Sequence, residues 1–69
     1  MRVARLKHWR ERRLLTQADL AQKSGVSEVT IARLETRRHQ ARFSTIRKLA
    51  EALGVSADEL ADEGEESAA

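Results

Sequence analysis

At 69 residues, the chain is long enough for one small domain and too short for a scaffold that also encloses a deep substrate cavity. It has no cysteine, which excludes disulfides and thiolate metal sites, and no apolar run approaches the roughly 18 residues that a membrane span requires. All 13 Lys and Arg and four acids lie within residues 1–48, giving a net charge of +9, whereas residues 49–69 hold the other seven acids and carry −7. This asymmetry favours a polyanion-binding body with an acidic tail over a basic face that is merely solvated.

Residue types that would support catalysis are present without the arrangements that catalysis needs. His8 and His39 are far apart in the sequence, so we expect no metal site. There is no Gly-rich phosphate loop and no Ser or Thr paired with a His and an acid, so we expect neither an enzyme nor a cofactor. The basic N-terminus lacks the apolar segment of a signal peptide, which leads us to expect a cytoplasmic protein.

Apolar residues recur three and four positions apart, which is the period of an α-helix, and strand-like alternation is absent. Thr16, Ser27 and Ser56 are placed to cap helix starts, while Gly25 and Gly54 are placed to end helices in the left-handed conformation. Helices are predicted over residues 2–13, 17–24, 28–35, 43–53 and 57–62. The predicted fold is all-α, a compact five-helix bundle over residues 1–62, followed by an acidic disordered tail over residues 63–69.

Two helices of about eight residues meet at Gly25 within the segment from Thr16 to Glu35, which is the pattern of a helix-turn-helix. Ile31 and Leu34 would anchor the second of these helices, 28–35, in the core. The residues left on its outer side are Ser27, Glu28, Val29, Ala32 and Arg33. A helix of this size fits the major groove of DNA, with its N-terminal residues nearest the base edges. Trp9 and Phe43 are expected in the core.

Short motifs along the chain match, in order and spacing, the pattern of one family of bacterial and phage regulators. They include Leu15-Thr16-Gln17, Leu20-Ala21, Gly25-Val26-Ser27, Thr30-Ile31, Arg33-Leu34-Glu35, Leu49-Ala50, Ala52-Leu53-Gly54-Val55 and Asp58-Glu59-Leu60. On these motifs the chain resembles the lambda-repressor-like helix-turn-helix domains (Cro/C1, XRE family) from about Leu6 to Leu60. It departs from them at Leu14, where the family often has Gly or a polar residue, and near Ala41, where a Pro is common.

The resemblance implies that the third helix reads DNA bases through Glu28, Val29 and Arg33. Arg33 would bind guanine, Val29 would pack on a thymine methyl group, and Glu28 would accept from cytosine, although each could instead be an ordinary exposed side chain. The DNA backbone contacts that it implies are Gln17, Ser27, Thr30, Arg37, Arg38 and Arg42. It also implies an internal salt bridge between Arg10 and Glu35.

The leading hypothesis for function is a sequence-specific transcriptional regulator, expected to be a repressor, that binds double-stranded DNA. A module this small is expected to bind as a homodimer on half-sites about 34 Å apart. By the resemblance, its dimer surface would lie around Val55 and Leu60. Two alternatives stay open: a DNA-binding antitoxin whose acidic C-terminus binds a basic toxin protein, and a protein-interaction adaptor built on the same fold.

Overall fold

The computed structural model describes residues 2–36 and 40–61, and these residues fold into five helices without any strand. The helices are α1 (Leu6–Arg12), α2 (Gln17–Ser24), α3 (Glu28–Glu35), α4 (Phe43–Leu53) and α5 (Ala57–Leu60). The predicted all-α five-helix architecture is confirmed, and α2, α3 and α4 have the predicted bounds. Arg37, Arg38, His39 and the acidic tail lie outside the described residues.

Side-chain caps begin three of the helices. At the start of α2, the Asp19 N–H donates to Thr16 Oγ1 and the Thr16 N–H donates to Asp19 Oδ2, both at 3.0 Å. Hydrogen bonding with Thr16 lowers the pKa of Asp19 because it favours the ionised carboxylate. The bond to the Thr16 backbone has the larger effect, and the bond to its side chain the smaller. Ser56 and Glu59 form the same reciprocal box at α5, and Ser27 caps α3. These caps satisfy N–H groups that a helix start otherwise leaves unpaired.

One apolar cluster forms the core and receives side chains from every helix. Helix α2 packs against both α3 and α4, α5 packs against α4, and α1 packs against α3. The buried members are Val3, Leu6, Leu20, Val26, Ile31, Leu34, Ile46, Leu49, Ala50, Leu53 and Leu60. Because α3 contributes only one face to this cluster, its other face stays open to solvent.

The N-terminal segment departs from the sequence prediction, which began the first helix at residue 2. Val3 is buried in the core, and the Arg5 N–H donates to the Leu60 carbonyl at 3.2 Å, so the chain crosses the end of α5 before α1 begins at Leu6. Helix α5 ends at Leu60 rather than at 62, because Ala61 is extended. The carbonyl end of α5 therefore receives the N-terminal segment.

Helix α1 holds the C-terminal ends of α4 and α5. The indole Nε1 of Trp9 donates to the Glu59 carbonyl at 3.0 Å, and Arg13 Nε donates to the Leu53 carbonyl at 2.9 Å. The guanidinium of Arg13 also lies 5.3 Å from the centre of the Trp9 ring, a cation–π distance. Trp9 thus packs against the core as expected, and its polar edge satisfies a helix-terminal carbonyl.

Two apolar residues lie elsewhere than expected. Phe43 is 83% exposed, so its assignment to the core was wrong. It is the first residue of α4, three positions before Ile46 of the buried stripe, and the packing of the described residues leaves its side chain uncovered. Leu60 is fully buried within a single chain, so it cannot serve on a dimer surface, and that assignment was also wrong.

Leu14 occupies a backbone conformation that normally requires glycine. Its φ is 58°, and it is the one described residue other than glycine with a positive φ. The Leu14 N–H donates to Glu11 O and the Leu15 N–H donates to Arg10 O, which are the two bonds of a Schellman motif. Gly54 ends α4 with the same pair of bonds, to Glu51 and Ala50. Two helices therefore end alike, one on glycine and one on leucine.

We predict that Leu14→Gly raises the free energy of unfolding by about 0.5–1 kcal/mol. An L-residue in the left-handed region costs about 1–2 kcal/mol, and the added flexibility of glycine offsets part of the gain. The side chain is 90% exposed, so little packing is lost. Urea unfolding followed by Trp9 fluorescence measures the change. Leu14→Ala is the control because it keeps the Cβ; a Leu14→Gly variant that is less stable than Leu14→Ala would show that the backbone is not strained.

Candidate nucleic-acid interface

The turn between α2 and α3 sets the relation of the two helices. Gly25 ends α2 with φ 78° and its N–H donates to the Ala21 carbonyl, so the chain reverses within three residues. Val26 is buried beneath this turn, and its N–H donates to Ser24 Oγ. Apolar burial below the turn and hydrogen bonds within it make the corner rigid. The geometry is that of a helix-turn-helix.

The outer side of α3 presents the three residues predicted to contact bases. Glu28, Val29 and Arg33 are all exposed, whereas Ile31 and Leu34 on the opposite side are buried. Val29 and Arg33 are four positions apart and therefore lie on one face of the helix, and Glu28 precedes them at its N-terminal end, so the three exposed side chains form a short strip. The strip combines an acceptor, an apolar group and a cation, which are three of the groups used to distinguish base edges.

Ser27 and Thr30 interlock at the start of α3. The Ser27 Oγ accepts from the Thr30 N–H at 3.2 Å and donates its hydrogen to Thr30 Oγ1 at 2.8 Å. The Ser27 hydroxyl is therefore committed to capping. Thr30 Oγ1 is an acceptor in this pair, so its own hydrogen can still donate outward. Both residues were predicted to contact the DNA backbone. Thr30 has a side-chain hydrogen available for such a contact, whereas Ser27 has only its main-chain groups.

A polar network ties α1, α2 and α3 together behind the outer face of α3. Arg10 Nε and Nη2 donate to the two Glu35 carboxylate oxygens at 2.7 and 3.2 Å, and Arg10 Nη1 donates to the Leu15 carbonyl at 2.8 Å. The two side chains are only 11% and 6% exposed. Hydrogen bonding of the Arg10 guanidinium to the Glu35 carboxylate raises the pKa of Arg10 above its ordinary value. The structure thus brings together the Arg10–Glu35 pair that the resemblance implied.

Gln17 belongs to the same network, a role that the sequence did not suggest. Its Nε2 donates to Glu35 Oε1 at 2.9 Å. An amide nitrogen carries two hydrogens, so one remains for an acceptor outside the protein. Gln17 is also the first residue of α2, where the helix N-terminus attracts anions. The last residue of α3 therefore orients the first residue of α2.

The start of α4 lies beside the N-terminal half of α3. A small cavity of about 340 Å³ separates them, and Thr30, Gln40, Arg42 and Thr45 line it together with Leu34 and Ala41. Arg42 precedes α4 and provides no side-chain cap, so the first N–H groups of this helix lack that partner. The arrangement brings Thr30 and Arg42, two predicted backbone contacts, to one edge of the molecule. Of the other four predicted contacts, Gln17 and Ser27 lie at the starts of α2 and α3, and Arg37 and Arg38 lie outside the described residues.

Comparison with known proteins agrees with this geometry. The sequence profile of a family described as helix-turn-helix matches residues 6–60. The chain belongs to the Cro/C1-type (XRE) helix-turn-helix family. No curated protein and no solved structure matches the chain. As an XRE-family chain it is a DNA-binding helix-turn-helix regulator.

The described part of this XRE-family domain has neither a membrane-spanning helix nor a cluster of metal ligands. No described helix has the length and apolar character to cross a bilayer. Likewise, residues 2–36 and 40–61 contain no group of three or more His, Cys, Asp or Glu side chains that could hold a metal ion.

We predict that Glu35→Ala lowers the free energy of unfolding by about 2–4 kcal/mol, because it leaves a largely buried guanidinium unpaired. Urea unfolding followed by Trp9 fluorescence measures the loss. The matched control is Glu51→Ala, which removes the same kind of group from an exposed ion pair with Arg47. That change should cost less than about 0.5 kcal/mol. Similar losses for both variants would mean that the Arg10–Glu35 network does not hold the helices.

Proposed function

We propose that this domain is a cytoplasmic, sequence-specific transcriptional repressor that binds DNA as a homodimer and inserts α3 into the major groove. The observation that carries the proposal is the strip of Glu28, Val29 and Arg33, exposed on a helix whose opposite face is anchored in the core. A rigid helix that presents polar and apolar groups in fixed register can distinguish base pairs. Occupying an operator is enough to block transcription, so no further activity is needed.

The strip divides base reading between three chemistries. Arg33 donates two hydrogen bonds to guanine O6 and N7, and Val29 contacts the methyl group of thymine. Glu28 accepts from cytosine N4 close to the start of α3, where the helix dipole favours its charge. A carboxylate next to phosphates repels them wherever its base partner is missing. Glu28 therefore weakens binding to sites without that base.

Phosphate contacts come from both sides of this strip. Gln17 offers its remaining amide hydrogen at the start of α2, and Ser27 offers its main-chain N–H at the start of α3. Thr30 and Arg42 offer a hydroxyl hydrogen and a guanidinium beside the cavity between α3 and α4. Contacts of this kind fix the register of the helix on the duplex and carry no sequence information themselves. We assign Arg37 and Arg38, from the loop between α3 and α4, to the same role.

The experiment that tests the proposed function is selection of binding sites from a random duplex library at physiological salt. We expect an inverted repeat whose half-sites are centred about 10–10.5 base pairs apart, because a dimer reads one face of the duplex. Salt-sensitive binding to every duplex without enrichment of any sequence would contradict the proposal. In that case the domain binds DNA without reading it.

We predict that Arg33→Ala weakens binding to the selected site by about 1–3 kcal/mol and relaxes the preference at one base position. Arg42→Ala is the matched control, since it removes the same side chain from a backbone contact. It should weaken binding to all sequences alike and reduce the salt slope by about 1. Titrations of cognate and single-substituted duplexes at several salt concentrations measure both effects. If Arg33→Ala gives the same pattern as Arg42→Ala, Arg33 does not read a base.

A further inference from the structure

An open apolar groove runs along the exposed side of α4. It encloses about 700 Å³ between α4 and the segment that connects it to α5. Phe43 and Ala50 line it from α4, and Val55 and Ala57 line it from the far side. Phe43, the first residue of α4, is 83% exposed at one end of the groove. A large exposed aromatic beside an apolar groove marks a surface that is covered when the protein functions.

The rim of this groove carries one charge of each sign. Arg47 and Glu51 lie one helical turn apart, with 3.7 Å between Arg47 Nε and Glu51 Oε1, and their side chains are 82% and 74% exposed. An exposed pair of this kind adds little to the stability of its own helix. The order of the two charges along α4, with Arg47 before Glu51, nevertheless complements the same order on a second copy of the helix. When two α4 helices run antiparallel, the Arg47 of each faces the Glu51 of the other.

We propose that a second copy of this chain occupies the groove, so that Phe43 of each copy enters the groove of the other and Arg47 pairs with Glu51 across a two-fold axis. A two-fold contact uses the same patch on both subunits and therefore requires a patch that complements itself. A rim with one cation and one anion meets that requirement. An acidic or a basic partner would gain from one of these charges and be repelled by the other.

This inference rests on the proposed homodimer and replaces Leu60, which is buried, with Phe43 as its central residue. Val55, named from the sequence, remains part of the surface. The groove begins at Phe43, next to Arg42, which shares the small cavity with Thr30 of α3. The residues that line the groove belong to α4, to the segment after it and to α5, so pairing through α4 leaves the outer side of α3 uncovered. The groove offers each copy one aromatic side chain, so we expect weak pairing in solution that strengthens when two copies share one duplex.

Charge exchange between two single variants tests the proposal. Arg47→Glu places two acids on each rim and Glu51→Arg places two cations there, so each variant alone should pair at least about tenfold more weakly than the wild type. An equimolar mixture restores both cross-pairs and should form a heterodimer, and the double variant R47E/E51R should pair like the wild type. Sedimentation velocity at several concentrations, with and without the selected inverted repeat, measures pairing.

Phe43→Ser tests the apolar part of the contact, and Leu14→Ser is its control, since Leu14 is equally exposed away from the groove. We expect Phe43→Ser to abolish cooperative binding to the inverted repeat and Leu14→Ser to leave it unchanged. Trp9 fluorescence verifies that every variant is folded. Affinity for a duplex with a single half-site should stay within about twofold for all of them, because α3 is intact.

The single half-site separates this proposal from the proposed function. Sequence-selective binding to it, together with dimers that ignore the charge exchange and Phe43→Ser, would overturn the groove contact and leave DNA reading in place. A chain that remains monomeric at every concentration and binds the inverted repeat without cooperativity would overturn it as well, and would assign the groove to another protein or to another segment of this chain. Loss of sequence selectivity on the half-site by the wild type would refute the proposed function itself.

Discussion

The ion pair between Arg10 and Glu35 connects parts of the chain that are 25 residues apart, and the position of α3 depends on it. Three helices meet there, because Gln17 donates to the same carboxylate. A guanidinium and a carboxylate impose a planar, two-bond geometry that an apolar contact would not. With the end of α3 held in this way and its start capped by Ser27, the helix has little freedom to rotate. The strip of Glu28, Val29 and Arg33 therefore inherits its direction from a contact on the inner side of α3.

A chain of this size has a small core, and its stability depends on how the helix ends are satisfied. Caps supply acceptors for the starts of α2, α3 and α5. At the C-terminal ends of α5 and α4, the chain supplies donors instead. Trp9 of α1 donates to the Glu59 carbonyl, and Arg13, which follows α1, donates to the Leu53 carbonyl. The backbone N–H of Arg5, the residue before α1, likewise donates to the Leu60 carbonyl. Local signals begin the helices, and long-range donors from α1 close the bundle.

The sequence predicted what depends on local chemistry and erred where distant segments meet. Helical spacing and capping residues located α2, α3 and α4 because those signals act within a few residues. The helical period alone extended α1 to residue 2, whereas burial of Val3 in the core and the hydrogen bond from the Arg5 N–H to the Leu60 carbonyl override it. Phe43 and Leu60 were misassigned for a related reason: an apolar residue does not reveal whether a neighbouring element is present to cover it. The hydrogen bond from Gln17 to Glu35 was likewise missed, because it forms only where the start of α2 and the end of α3 meet in space.

Two apolar side chains on the surface have different physical meanings. Val29 lies between charged neighbours on the exposed side of α3, where in the proposed complex an isolated methyl contact adds discrimination without creating an extended apolar surface. Phe43 borders a continuous apolar groove, where exposure costs free energy until another surface covers it. If DNA brings two copies together, covering Phe43 and releasing counterions from phosphates favour the same complex. Base reading and pairing are then coupled. A duplex with only one half-site gains neither the second set of base contacts nor the burial of Phe43. The coupling therefore raises the ratio of specific to non-specific binding beyond what α3 achieves alone.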